Sequence, residues 1–346
     1  MRDPRWRYGI YGGLVIFTVV LLLAPRLLNS FFLRVLTEAL IFGMLAMSVN
    51  ILVGYTGLAP LGHAGIFGVA AYAIGYLTVR ADMPHSMAIL AALGLVLVVS
   101  AIFGVFAVRT SGIYFLMITL AEGMIVWGLA YRWAAVTGAE NGIRGITRPG
   151  PLQNYTTYYY LVVFIFILVI LVMRVFVNSP FGLSLQGIRE NERRMRTLGY
   201  NVTLHKFLSF MTSGFLAGIA GVLYVYYNNF ISPSAVEFAT SAEALLMVIL
   251  GGSGTLPGPI VGSFIITFSR HILSLFTDRW LIIMGAIFVF TILFAPQGII
   301  GALQDIWRRR AQVVAPSPTA PHPASTPHQE GGERAPSGST QQEVSR

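Results

Sequence analysis

The chain has 346 residues, of which 55% are hydrophobic and only 11% charged, whereas a soluble domain carries roughly a quarter charged residues. Several apolar runs approach the roughly 20 residues that span a bilayer as helix, and they do not alternate as barrel strands would, which excludes a soluble globular domain and a transmembrane barrel. The formal charge of +9 gathers at the ends of apolar runs, where it signals topology rather than nucleic-acid binding, and the absence of cysteine excludes disulfides and thiol chemistry.

In chain order, Arg2, Arg5 and Arg7 precede an apolar stretch at 9–24 with no small-residue cleavage site after it, so an uncleaved first helix is expected. Apolar segments follow at 31–53, 62–79, 87–108 and 113–130, then a polar stretch at 131–157, then 158–177. Beyond a charged segment come 207–227, a short one at 242–250, 259–276 and 281–294. The expected fold is all-α: a polytopic transmembrane bundle of about ten crossings or half-crossings over residues 1–310. Placing Arg109, Arg174, Lys206 and Arg308 to Arg310 on the cytoplasmic side puts both termini in the cytoplasm. Residues 311–346 are rich in Pro, Ser, Thr and Gly without an aromatic, and are expected to be a disordered cytoplasmic tail.

The charged segment reads FGLSLQGIRENERRMRTLGY from Phe181 to Tyr200. Leu185, Ile188, Met195 and Leu198 recur at helical spacing, Glu190 stands four residues before Arg194 and Glu192 four before Arg196, and Gly199 follows as a helix stop. These features predict a short amphipathic helix on the membrane surface; a merely solvated charged loop is the plainer alternative. With Lys206 and SGFLAGIAGVLY after it, the run resembles the cytoplasmic coupling segment of ABC-importer permeases, nearest to the LivM type of branched-chain amino acid permease. The resemblance implies that Gly182, Arg189, Glu190, Asn191, Glu192 and Gly199 dock this segment in a cleft of a separate ATPase.

Two stretches share one pattern. Gly54, Thr56, Gly57, Pro60 and Gly65 match Gly251, Ser253, Gly254, Pro257 and Gly262 with identical spacing. So much Gly and Pro interrupts a helix, and paired interruptions in the two halves of a transporter point to its substrate route. Tight cytoplasmic turns explain the same pattern. Gly54, Tyr55, Thr56, Gly57, His63, Gly251, Gly252, Ser253 and Gly254 are the candidate pathway residues here. The first stretch, Asn50 through Tyr72, also resembles the family's NxLxGYTGxxxLGHAxxFGxGAY signature, with Leu58 and Pro60 where the family commonly has Gln and Ser. The second resembles its GGxGTLxGPxxG motif.

Ionisable groups inside apolar segments are costly enough to suggest function. Glu122 in ITLAEGMIVWG has no local cation and joins the pathway candidates. Glu38 is expected to pair with Arg34 one turn away, His63 to brace the Gly-rich turn, and Glu243 to be hydrated near an outer boundary. The stretch TGAENGIRGITRPGP at 137–151 is expected outside and resembles a family segment, which implies contact with a binding protein or a lid. Gly214 and Gly218 form a GxxxG pair for close helix packing.

There is no HExxH, GxSxG or P-loop, so catalysis by this chain is not expected, and no metal or cofactor site is apparent. The resemblance implies the permease subunit of an importer in the bacterial inner membrane, for branched-chain or related amino acids. It further implies a homologous permease partner, two ATPase subunits that hydrolyse ATP, a periplasmic or lipid-anchored binding protein, and membrane lipid around it. An ion-coupled secondary transporter or channel is the alternative class, and urea or amides are alternative substrates.

Overall fold

The computed structural model describes residues 18–276 and, beyond them, positions 282, 283, 285, 286, 289, 293 and 298–301. The crossing expected at 281–294 therefore lies largely outside the described residues, the start of the first segment and the tail at 311–346 entirely so.

The helices follow the apolar runs. A short helix α1 (Thr18–Leu27) leads into α2 (Ser30–Asn50), then α3 (His63–Val79), α4 (His85–Ala107) and α5 (Ile113–Arg132). Next come a single turn, α6 (Ala134–Thr137), and α7 (Tyr155–Asn178). The charged segment forms α8 (Pro180–Glu190) and α9 (Glu192–Thr197), and α10 (Val202–Asn228), α11 (Phe238–Gly251) and α12 (Gly258–Phe276) follow. Among the described residues six helices are long and apolar enough to cross a membrane, with α1, α3 and α11 apolar but shorter, so these residues form an all-α membrane bundle.

Side-chain caps set several of the starts. Asn154 accepts from the Thr156 N–H at 3.0 Å and Asn201 from Leu204 at 3.1 Å, satisfying donors that have no partner within their helices. The Asn201 cap starts α10 at Val202, five residues ahead of the apolar run expected at 207. Lys206 is thereby drawn into the first turns of the helix.

α2 is the axis of the bundle. Every residue from Val35 to Asn50 is buried, and the helix packs against α7, α10, α11 and α12. Leu40, Ile41, Met44 and Leu45 lie wholly inside. With lipid outside, such packing gains van der Waals contact rather than hydrophobic transfer, which favours small residues where helices cross. Accordingly, a Cβ on Gly218 of α10 would stand 2.8 Å from Val96 of α4, and one on Gly221 only 2.1 Å from the Phe67 carbonyl of α3. The GxxxG reading of α10 is thus a packing surface for α4 and α3.

The polar stretch at 131–157 holds α6, short helical turns and β1 (Ile143–Arg144), which pairs antiparallel with β2 (Phe230–Ile231) just after α10. Arg148 reinforces this tie by donating to the carbonyls of Tyr226 at 2.7 Å and Tyr227 at 3.0 Å. The two-residue ribbon is the only sheet among the described residues.

Candidate functional site

The first Gly/Pro stretch leaves helical geometry by widening before it stops. After Asn50, residues Ile51–Thr56 form a π-helical turn, with Thr56 Oγ1 donating to the Ile51 carbonyl at 2.9 Å, and Gly57 ends it at φ 78°. Such turns are uncommon and occur at functional sites more often than elsewhere. The second stretch ends α11 at Gly251, and Gly252 at φ 118° and Gly254 at φ 78° turn the chain into α12.

The two breaks touch. Asn50 joins them: its Nδ2 donates to the Thr255 carbonyl at 2.9 Å and its Oδ1 accepts from the Gly254 N–H at 2.9 Å. A Cβ on Gly54 would lie 2.2 Å from Asn50 Oδ1 and 2.3 Å from the Gly254 nitrogen, so only glycine permits this approach. The charged segment reaches the same point. Arg189, near the end of α8, donates from Nη1 to the Gly54 carbonyl, and a Cβ on Gly57 would meet its Cγ at 2.9 Å. Gly54, Gly57, Gly254 and Arg189 thus form one node. Gly251 packs separately, where a Cβ would stand 1.8 Å from the Gly258 carbonyl.

The charged segment is not one helix. α8 begins with Ser179 accepting from Gly182 N–H at 3.1 Å and Pro180 in its first turn, and Gly182 lies so close to the Phe176 carbonyl that a Cβ would be 2.3 Å away. At Asn191 the backbone becomes extended, and the Asn191 side chain caps α9 by accepting from Arg194 N–H at 3.0 Å. The break removes the expected Glu190 to Arg194 pairing, while Glu192 and Arg196 pair at 2.7 Å. Leu185, Ile188 and Met195 pack together with Val202, but Leu198 is exposed. Gly199 at φ 87° closes α9 with two reverse bonds, from Gly199 N–H to Arg196 and from Tyr200 N–H to Met195.

Glu192 fastens α9 to α10 through buried Lys206, at 2.7 Å. Burial pushes its carboxyl up, but hydrogen bonds from Lys206 and Arg196, with their charges, outweigh that and hold it below the usual carboxylate range. A depressed folded-state value means that this stabilisation is present above the unfolded value and is lost as pH falls through the folded one. Pepsin cleavage at 191–200 should therefore speed up between about pH 5 and 3. Glu192→Gln should cleave fast across that range, and equal pH profiles for the two proteins would refute the role of the ion pair.

His63 and Glu122 lie apart from the node. His63 Nε2 donates to Ser213 Oγ at 2.7 Å, and the Ser213 hydroxyl donates to the Ser48 carbonyl at 2.6 Å, a relay that braces α3, α10 and α2. Ser213 stands eleven residues into α10 from Val202, about 16 Å along its axis at 1.5 Å per residue. α3 therefore starts well inside the bundle, after residues 57–62 climb from the node. Glu122 is buried, and its Oε1 has no hydrogen-bond partner.

A buried charge network went unread in the sequence. Glu38 does not pair with Arg34; it accepts from Arg270 on one oxygen and from His271 Nε2 at 2.7 Å on the other. Arg270 also bonds both oxygens of Glu243, at 3.1 and 3.2 Å, and its guanidinium lies 5.2 Å from the Phe42 ring centre. Glu243 is therefore buried and paired rather than hydrated. The signal was present, since Arg270 and His271 interrupt an apolar run as plainly as any glutamate does.

Apolar helices around a buried axis, with two interrupted helices joined to an amphipathic segment, define a multi-pass membrane protein. The family model for the branched-chain amino acid transport system permease component matches residues 31–292, and the chain belongs to that family. It is 28% identical to the high-affinity branched-chain amino acid transport system permease protein LivM of Salmonella typhimurium, over 76% of this chain and 68% of that protein. To LivM of Escherichia coli it is 27% identical, over 83% of this chain and 74% of the relative. It is 26% identical to the high-affinity branched-chain amino acid transport system permease protein LivH of Escherichia coli, over 39% of this chain and 44% of LivH.

Proposed function

We propose that this chain is the LivM-type permease subunit of an ABC importer that carries branched-chain amino acids across the bacterial inner membrane. In this reading residues 1–310 form the membrane domain, with about ten crossings or half-crossings and both termini in the cytoplasm, and 311–346 form a tail. A homologous permease pairs with it, and two ATPase subunits bind and hydrolyse ATP. A periplasmic or lipid-anchored binding protein delivers substrate to the outer loops.

The observation that carries this reading is Arg189 meeting Gly54, Gly57 and Gly254. Gly182, Glu190, Asn191, Glu192 and Gly199 shape and anchor α8 and α9 for the ATPases, and motion of α8 then reaches both helix breaks through one side chain. Tyr55, Thr56, His63, Glu122, Gly251, Gly252 and Ser253 belong to the segments that such motion would shift.

Co-purification from native membranes tests the reading. The intact chain should bring ATPases and a second permease, and Glu192→Arg with Gly199→Pro should lose the ATPases. Absence of ATPases from the intact chain in several mild detergents would overturn it. The Glu38, Arg270, His271 and Glu243 network favours a second reading, ion-coupled transport by this chain alone. That reading requires uptake driven by a proton or sodium gradient without ATP.

A further inference from the structure

The N-terminus of α3 and the carboxylate of Glu122 are both buried, lie in adjoining segments, and take no part in the coupling node. α3 is a helix of 17 residues. Just ahead of it the Leu61 N–H is taken by Thr119 Oγ1 at 3.1 Å. Within it, Ala64 N–H is taken by Ser241 Oγ at 3.0 Å and Gly65 N–H by the Gly62 carbonyl at 2.9 Å. Between these, the N–H groups of Gly62 and His63 have no acceptor among the described residues. Orphan donors at a helix start carry partial positive charge and suit an anion.

α5 supplies the opposite sign. A Cβ on Gly62 would meet the Thr119 carbonyl at 1.8 Å, one on Gly123 would meet Gly62 Cα at 2.8 Å, and one on Gly65 would meet Val126 at 3.5 Å. Glu122, three residues after Thr119 and four before Val126, flanks that same helix face. It is 7% exposed, and Oε1 is unpartnered. A carboxyl group with a buried, unpartnered oxygen in a membrane bundle is expensive and marks function by default. Glu122 does not take the two open N–H groups either.

We propose that the α3 N-terminus and Glu122 together form a binding station inside the bundle for the zwitterionic backbone of an α-amino acid. The substrate carboxylate is held by the N–H groups of Gly62 and His63, and its ammonium by Glu122. This deepens, and rests on, the reading of the chain as an amino acid permease. A proton or metal cation would answer Glu122 alone and leave the two N–H groups open. Because both contacts grip the backbone, the station passes different branched side chains and leaves the choice among them elsewhere.

The test uses the whole complex in proteoliposomes with a diazirine-bearing leucine as photoprobe. Label should fall within residues 58–66 or 115–126 and be competed by L-leucine. It should not be competed by 4-methylpentanoate, which keeps the carboxylate and lacks the ammonium. Glu122→Gln should lower labelling and leucine uptake about 10-fold or more, as expected for one lost charge-assisted bond, with Glu122→Asp intermediate. Label confined to other segments, competition by 4-methylpentanoate, or wild-type uptake by assembled Glu122→Gln would each overturn the proposal. If Glu122→Gln fails to assemble, the labelling of the wild-type complex decides. A wild-type complex that imports no branched-chain amino acid would instead overturn the functional reading itself.

Discussion

Arg189→Ala is expected to lower ATP-driven uptake by about 10- to 100-fold, the cost of one hydrogen bond to a charged group, while ATP hydrolysis by the assembled complex falls much less. The side chain stands at the end of α8, and its guanidinium reaches the Gly54 carbonyl beside Gly57 and Gly254. Without it, α8 still packs through Leu185 and Ile188 on Met195 and Val202, and Glu192 still holds Lys206, so the surface proposed to dock the ATPases persists. What is lost is a side chain that joins that surface to both breaks. Arg189→Lys keeps the charge but not the planar fork, and should fall between. Measuring uptake and hydrolysis on the same proteoliposomes separates the outcomes. Normal uptake by Arg189→Ala would remove Arg189 from the transmission path, and equal loss of both activities would make it a docking residue.

Much of this arrangement could be read along the chain, and what escaped did so for physical reasons. Local rules worked where the partners are close in sequence. Gly199 closes α9 because a left-handed residue is needed there, and the apolar spacing of Leu185, Ile188 and Met195 marks the buried face of the segment. The helix break at Asn191 escaped because pairs spaced by four favour a continuous helix, while an asparagine just before a first-turn glutamate is equally a cap. The repeat of Gly and Pro located both breaks correctly. It did not reveal that Asn50 fastens one to the other, since the partners lie 204 and 205 residues away. Arg189 meets Gly54 across 135 residues, and no periodicity reports such a distance. Helix α3 carries the same lesson: its first residues look like a turn at a membrane surface, and only the bond from His63 to Ser213 shows how deep it starts.

The largest effect on stability is expected at Arg270. It bonds Glu38 and Glu243 together, so Arg270→Gln leaves two buried carboxylates facing each other, with His271 the sole remaining partner of one among the described residues. Removing one member of a buried ion pair typically costs about 3–5 kcal/mol, because the charge left behind has lost both water and partner. Thermal unfolding in detergent should show a sharply lowered midpoint. The triple variant Glu38→Gln, Arg270→Gln, Glu243→Gln removes charge from all three positions, and should recover most of the loss if the penalty is electrostatic. A triple variant as unstable as Arg270→Gln would instead assign the loss to the contact between the guanidinium and Phe42. Transport by the recovered variant then carries the functional question further. Retained ATP-driven uptake makes the network a staple between α2, α11 and α12, whereas uptake lost from a stable, assembled complex places these charges in the working path of the permease.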